Sequence, residues 1–141
     1  MVLFKDLQTH ATALIAAHAF FTGQTVLEDR GNKEKEIEEA LRTIGQAVAV
    51  PLILDGVTST GAQGGGTAIL DCGLAVLLKQ NPKKASLDIY EMMVAVKAAL
   101  LGYNSRNPND VYRMSDKAFI VDDTDPGAIT YHLFFDKRVA F

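Results

Sequence analysis

Four glycines crowd the run Gly61 to Thr67, and two of them, Gly61 and Gly66, stand five apart, the spacing with which a phosphate-binding loop begins. Such a loop follows its second glycine with a lysine, to meet the β and γ phosphates, and then with a hydroxyl for magnesium. Here Thr67 holds the lysine position and Ala68 the hydroxyl position, so the cation that does the electrostatic work is missing. The run also leads into TAILDCGLAVLL, which alternates as a strand does, whereas a phosphate loop opens a helix. These residues read as a hairpin connection instead. From Gly56 to Gly66 it is about eleven residues long, against the two to five usual in hairpins, and the extra length leaves room for a contact role. Gly56, Thr58, Thr60, Gly61, Gln63, Gly64, Gly65 and Gly66, with Pro51 on the strand before them, are therefore the candidate protein-interaction residues.

The other reactive side chains do not assemble into a catalytic set. Cys72, the single cysteine, alternates with Leu70 and Leu74 and so belongs to an apolar face, where a thiol is inert. His10 and His18 are eight residues apart on one helix, two turns rather than the one that brings metal ligands together, and His132 is isolated on a strand. Glu34, Glu38 and Arg42 line a solvated helix face with no partner for acid–base work. No catalytic residue, cofactor site or metal site is expected.

The elements that carry these residues follow from period and punctuation. Phe4, Leu7, Ala11, Leu14, Ile15 and His18 recur at three- and four-residue steps, giving a first helix whose stripe faces a sheet. A short strand follows around Val26 and Leu27. Asn32 is placed to cap a second helix with Ile37, Leu41 and Ile44 on one face, and Gly45 to stop it. Val48, Val50, Leu52 and Leu54 then alternate along a strand in which Pro51 cannot donate a ladder bond, so that strand is an edge or bulges there. Past the glycines, Leu70, Cys72, Leu74, Val76 and Leu78 share one side of the returning strand.

Pro82 ends that strand and Ser86 is placed to cap a third helix, in which Ile89, Tyr90, Met93, Val94, Val96, Leu100 and Leu101 make a broad apolar face up to Gly102. Two further strands are joined by the turn residues DTDPG, the last with Tyr131, Leu133 and Phe135 on one face and His132, Phe134 and Asp136 on the other. The expected fold is α+β in the order α-β-α-β-β-α-β-β, a mostly antiparallel sheet of four to five strands with about three helices packed on it, in one domain spanning residues 1–141.

Fourteen Lys and Arg against seventeen Asp and Glu give a net charge of −3 with no basic stripe, which argues against direct nucleic-acid binding. The apolar amino end lacks a basic start and is broken by Lys5 and Asp6, so it reads as a helix rather than a secretion signal. No stretch approaches the ~20 apolar residues of a membrane span.

The segment LAVLLKQNPKKASLDIYEMMVAVKAALLGY, Leu74 to Tyr103, resembles the tail-terminator and tail-completion (minor tail) proteins of tailed bacteriophages and prophages: a hydrophobic strand runs into Asn81-Pro82, then a short polar stretch, then a helix ended by a glycine. EIEEALRTIGQAVAVPLIL, Glu36 to Leu54, is similar to the family's middle helix and strand, and ITYHLFFD to its last strand. The resemblance covers roughly two thirds of the chain. It implies a non-enzymatic structural protein that forms a homo-oligomeric ring, typically a hexamer, closing the tail tube and taking part in head–tail joining. The implied partners are further copies of itself, the tail tube and head–neck proteins. Its place would be the virion tail, after assembly in the host cytoplasm. A head–tail connector or neck subunit is the alternative of the same kind, and a small-ligand-binding α/β domain using the glycine loop the alternative of another.

Overall fold

The computed structural model describes residues 2–43, 47–58, 68–80, 88–107, 110–122 and 129–141. Three helices, α1 (Leu7–Ala17), α2 (Lys33–Thr43) and α3 (Ile89–Leu101), pack against five strands, β1 (Thr25–Val26), β2 (Ala47–Thr58), β3 (Ile69–Gln80), β4 (Tyr112–Asp122) and β5 (Ile129–Ala140). The chain order is the expected α-β-α-β-β-α-β-β. The strands lie side by side as β1-β2-β3-β5-β4, antiparallel except that β1 runs parallel to β2. The sheet is thus mixed, with one short parallel pair at its edge.

Each layer follows from where its apolar residues fall. Leu7, Ala11 and Ile15 recur every four residues and bury one side of α1, while Met92, Ala95, Val96 and Leu100 do the same for α3. Both helices lie over the alternating inner residues Ala49, Cys72, Leu74, Val76, Leu78, Leu133, Phe135 and Val139. On the other face, Ile37 and Ala40 of α2 cover Val50 and Leu77 in a smaller cluster. The strand alternation therefore sends residues of opposite phase into two different cores.

Several expected boundaries move. The broad apolar face of α3 splits: Tyr90, Val94 and Leu101 point outward and stay exposed. The helix starts at Ile89, where the Asp88 carboxylate accepts a bond from the Tyr90 amide (2.9 Å), and Asp88 rather than Ser86 is its cap. Ser86, Pro82, Ile44, Gly45 and the DTDPG turn lie outside the described residues. Phe4 sits in a 3₁₀ turn before α1, and His18 leaves the helix to accept from the Phe20 amide (3.2 Å) at the start of a second such turn.

The β2–β3 hairpin forms in the expected register, Ala47 opposite Gln80 through to Thr58 opposite Leu70. Its strand reaches farther than the sequence suggests, so Gly56 and Thr58 are strand residues rather than loop residues. Pro51 sits where it can be tolerated. The Ala49 carbonyl accepts from Leu27 of the β1 side (2.8 Å), and two residues on, Pro51 faces the same side without a donor, so the parallel pairing stops. Beyond it β2 is the sheet edge. There the Gln8 side-chain oxygen accepts from the Ile53 amide (3.1 Å), which occupies that edge's next donor.

The bulge falls three residues after Pro51, at Leu54, between the pairs Ile53–Leu74 and Asp55–Gly73. The Asp55 carboxylate accepts from the Gly73 amide (3.1 Å), replacing a ladder bond displaced by the extra residue. Gly73 permits this approach, since a Cβ there would run into the same Asp55 oxygen.

Candidate functional site

Two of the strand-borne interaction candidates, Gly56 and Thr58, lie at the exposed end of β2, and Pro51 is buried opposite Val76. Thr60, Gly61, Gln63, Gly64, Gly65 and Gly66 lie outside the described residues. Their exit is described: Ala68 and Phe141 exchange backbone hydrogen bonds of 3.0 and 2.8 Å, and β3 begins at Ile69. The glycines thus lead into a strand, which removes the helix amino end on which a phosphate loop depends. Val2 and Leu3 continue this margin, with the Ala140 amide donating to the Val2 carbonyl (3.0 Å). Around it stand the exposed side chains Leu3, Val57 and Phe141.

The most chemically loaded arrangement is one that motif reading missed. Lys137 of β5 is 1% exposed and turns into the helix-covered side of the sheet, where its ammonium pairs with the buried carboxylate of Asp110. It also lies over the rings of Tyr112 (5.3 Å) and Tyr103 (5.6 Å), whose faces add cation–π attraction in a desolvated setting. Ser105 donates to the second oxygen of Asp110 (3.1 Å), and Tyr103 reaches the same oxygen at 3.4 Å. From α1, His10 stacks on Tyr112 with ring centroids 5.7 Å apart, meets Tyr103 edge-on at 4.7 Å, and shares a 2.7 Å hydrogen bond with the Tyr112 hydroxyl. One signal for it is present in the sequence. Position 137 continues the inward phase of Tyr131, Leu133 and Phe135, and a charge on an apolar phase requires a buried partner.

The electrostatics follow from this enclosure. Burial alone would raise the Asp110 carboxyl, but the Lys137 hydrogen bond and charge, with Ser105, outweigh it and hold the group at about 2. Burial, followed by the charges of Tyr103 and Asp110, pushes the Tyr112 phenol upward. Burial first, and then the Lys137 charge, lowers His10 below its ordinary value. The unfolded chain therefore takes up a proton at His10 more readily than the folded one, and stability is lost as pH falls through the region below 6.5. We expect the urea midpoint to drop less between pH 7.5 and pH 5 in His10→Gln than in the unmodified protein. Equal drops would assign the acid sensitivity elsewhere.

On the opposite face, a cleft of about 420 Å³ runs across the open end of the sheet. Its floor is the cross-strand row Asp55, Gly73, Asp136 and Arg113, and behind it Asp71 pairs with Arg138 at 2.8 Å. Burial, then Asp116, Asp55 and Asp71, raise the Asp136 carboxyl. Charged residues dominate the lining, with Val57 and Val111 its apolar side chains. Cys72 is buried, and burial, then Asp55 and Asp71, raise its thiol, so it is the inert core residue expected from its alternation. Among the described residues, no group of three or more His, Cys, Asp or Glu is arranged to hold a metal ion, and no helix is long and apolar enough to cross a membrane. No protein-family model matches the chain, and no curated protein matches it.

Proposed function

We propose that this chain is a non-enzymatic structural subunit of a bacteriophage or prophage tail, which assembles with copies of itself into a ring, typically of six, that ends the tail tube and takes part in joining it to the head. One observation carries the reading: among the described residues, besides the outward row of α3, two unlike apolar surfaces stand exposed at opposite corners of the sheet. At the glycine-loop end of β2, Leu54 and Val57 are 54% and 65% exposed. At the far end of the other edge strand, β4, Phe119 and Val121 are 51% and 52% exposed. Two unlike surfaces on one subunit suit head-to-tail contacts, which close into rings where the rotation permits, whereas a twofold dimer uses one surface twice. The resemblance of Leu74 to Tyr103 to tail-terminator proteins supplies the biological setting.

Light scattering across a concentration range and electron microscopy test this reading directly. Rings are expected from the unmodified chain. Val57→Asp and Phe119→Asp should each abolish them, and each variant retains one intact surface. Their equimolar mixture should therefore stop at dimers. Deleting Gly61 to Gly65 should leave a folded monomer with weaker ring formation or docking. A protein that stays monomeric at all concentrations, or one whose oligomer mass and tail joining ignore these changes, would overturn the proposal. A neck or connector subunit shares this logic and is separated from a tail terminator by its position in the particle.

A further inference from the structure

Among the described residues, the ladder that ties 103–107 and 110–114 to the sheet is short. Of these, 103–107 and 110–111 belong to no helix or strand, and β4 then joins β5 through three pairs, Tyr112–Lys137, Arg113–Asp136 and Met114–Phe135. A break in the β4–β5 register follows, and pairing resumes at Phe119–Leu133. Into this weakly paired stretch fall Tyr103, Ser105, Asp110 and Tyr112, four of the six members of the polar cluster around Lys137. The other two come from outside it: Lys137 from the middle of the sheet and His10 from α1. A buried lysine–aspartate pair seldom exceeds a well-packed apolar pair in stabilising a fold, so burial of these charges calls for a role in placement.

We propose that the Lys137–Asp110 pair is a clamp that seats residues 103–107 and 110–114 on β5 and α1, and that without it these residues open as a local unit while the rest of the sheet stays closed. The register break insulates Phe119–Asp122, whose four pairs to β5 lie beyond it. The carboxylate is held by Ser105 on one oxygen and by Lys137 on the other, so the pair ties Asp110 directly to β5, a link that the ring contacts of Tyr103 and Tyr112 do not supply at that residue. The inference is independent of the ring reading and survives its failure.

Amide hydrogen exchange followed by mass spectrometry on the full chain, at a concentration where it is monomeric, decides it. Lys137→Met removes the charge and keeps the bulk. Lys137→Met with Asp110→Asn removes both charges, leaves no buried ion alone, and decides the case if the single variant does not fold. Peptides covering 103–114 should exchange at least about tenfold faster, while those covering β2, β3 and 119–122 stay within about twofold of the unmodified chain. Unchanged exchange in 103–114, a uniform rise across the sheet, or failure of both variants to fold would each overturn the clamp.

Discussion

Asp110→Ala should lower the unfolding free energy by about 3–5 kcal/mol, a loss of the size that follows when one member of a buried ion pair is removed and the other remains. The Lys137 side chain is fully enclosed, and without the carboxylate its ammonium keeps, among the described residues, the faces of two tyrosines. Opening of the segment that carries Tyr112 would let water in, but that movement gives up the burial of Tyr112 and the stacking with His10, so the cost is not escaped by opening. Urea denaturation followed by circular dichroism should show a midpoint lowered by more than about 1 M. Adding Lys137→Met and restoring bulk with Asp110→Asn should recover most of the loss, since the stranded charge is gone. A single variant within about 1 kcal/mol of the unmodified protein would mean that the ammonium finds water in the fold. Titration gives a second view of the same pair. Its contribution is present above 3.8, the ordinary carboxyl value, and is lost as pH falls from there to about 2, with a size on the order of 2 kcal/mol.

Phe135→Ala is expected to cost about 3–5 kcal/mol through an entirely apolar route, lost transfer energy plus a cavity that the surroundings only partly fill. Phe135 is fully buried at the centre of β5, between Leu74 of β3 and Met114 of β4 in register, so backbone ladders on both sides prevent collapse into the space. Its neighbour Phe134 faces the other way, is half-buried beside His132 and forms no part of the main core. Phe134→Ala should therefore lose less than half as much in the same urea experiment. Equal losses would mean that the open face is covered as tightly as the helix-covered one.

Which features could be read from sequence depends on how local their causes are. The β2–β3 hairpin, the five strands and the three helices were readable because alternation and four-residue spacing are properties of each segment alone, and Leu70 to Leu78 repeats its pattern long enough to leave little ambiguity. The two-core arrangement was less accessible: Ala49 and Val50 are adjacent and go to different clusters, a division set by where α2 packs. The end of β2 was misplaced because Gly56 and Thr58 have loop-like composition, and it is pairing with Cys72 and Leu70 that makes them strand. The buried cluster was missed because its members are up to 127 residues apart, from His10 to Lys137, and no spacing rule joins them. Only the misplaced charge at 137 points to it. The outward turn of Tyr90, Val94 and Leu101 was hidden because α3 is apolar on nearly every side, which leaves its orientation to its neighbours.

The sheet's strand order bears on synthesis at the ribosome. β5 is the last of the five strands to emerge, yet it lies between β3 and β4 and pairs with both along most of its length. While a nascent chain has only reached the α3–β4 region, β3 keeps one unpaired edge, the Lys137 counter-charge to Asp110 is absent, and β4 has no neighbour to join. At the usual elongation rates of about 5–20 residues per second, the remaining strand follows within seconds, and only then can the hairpin and helices made earlier be locked into one sheet.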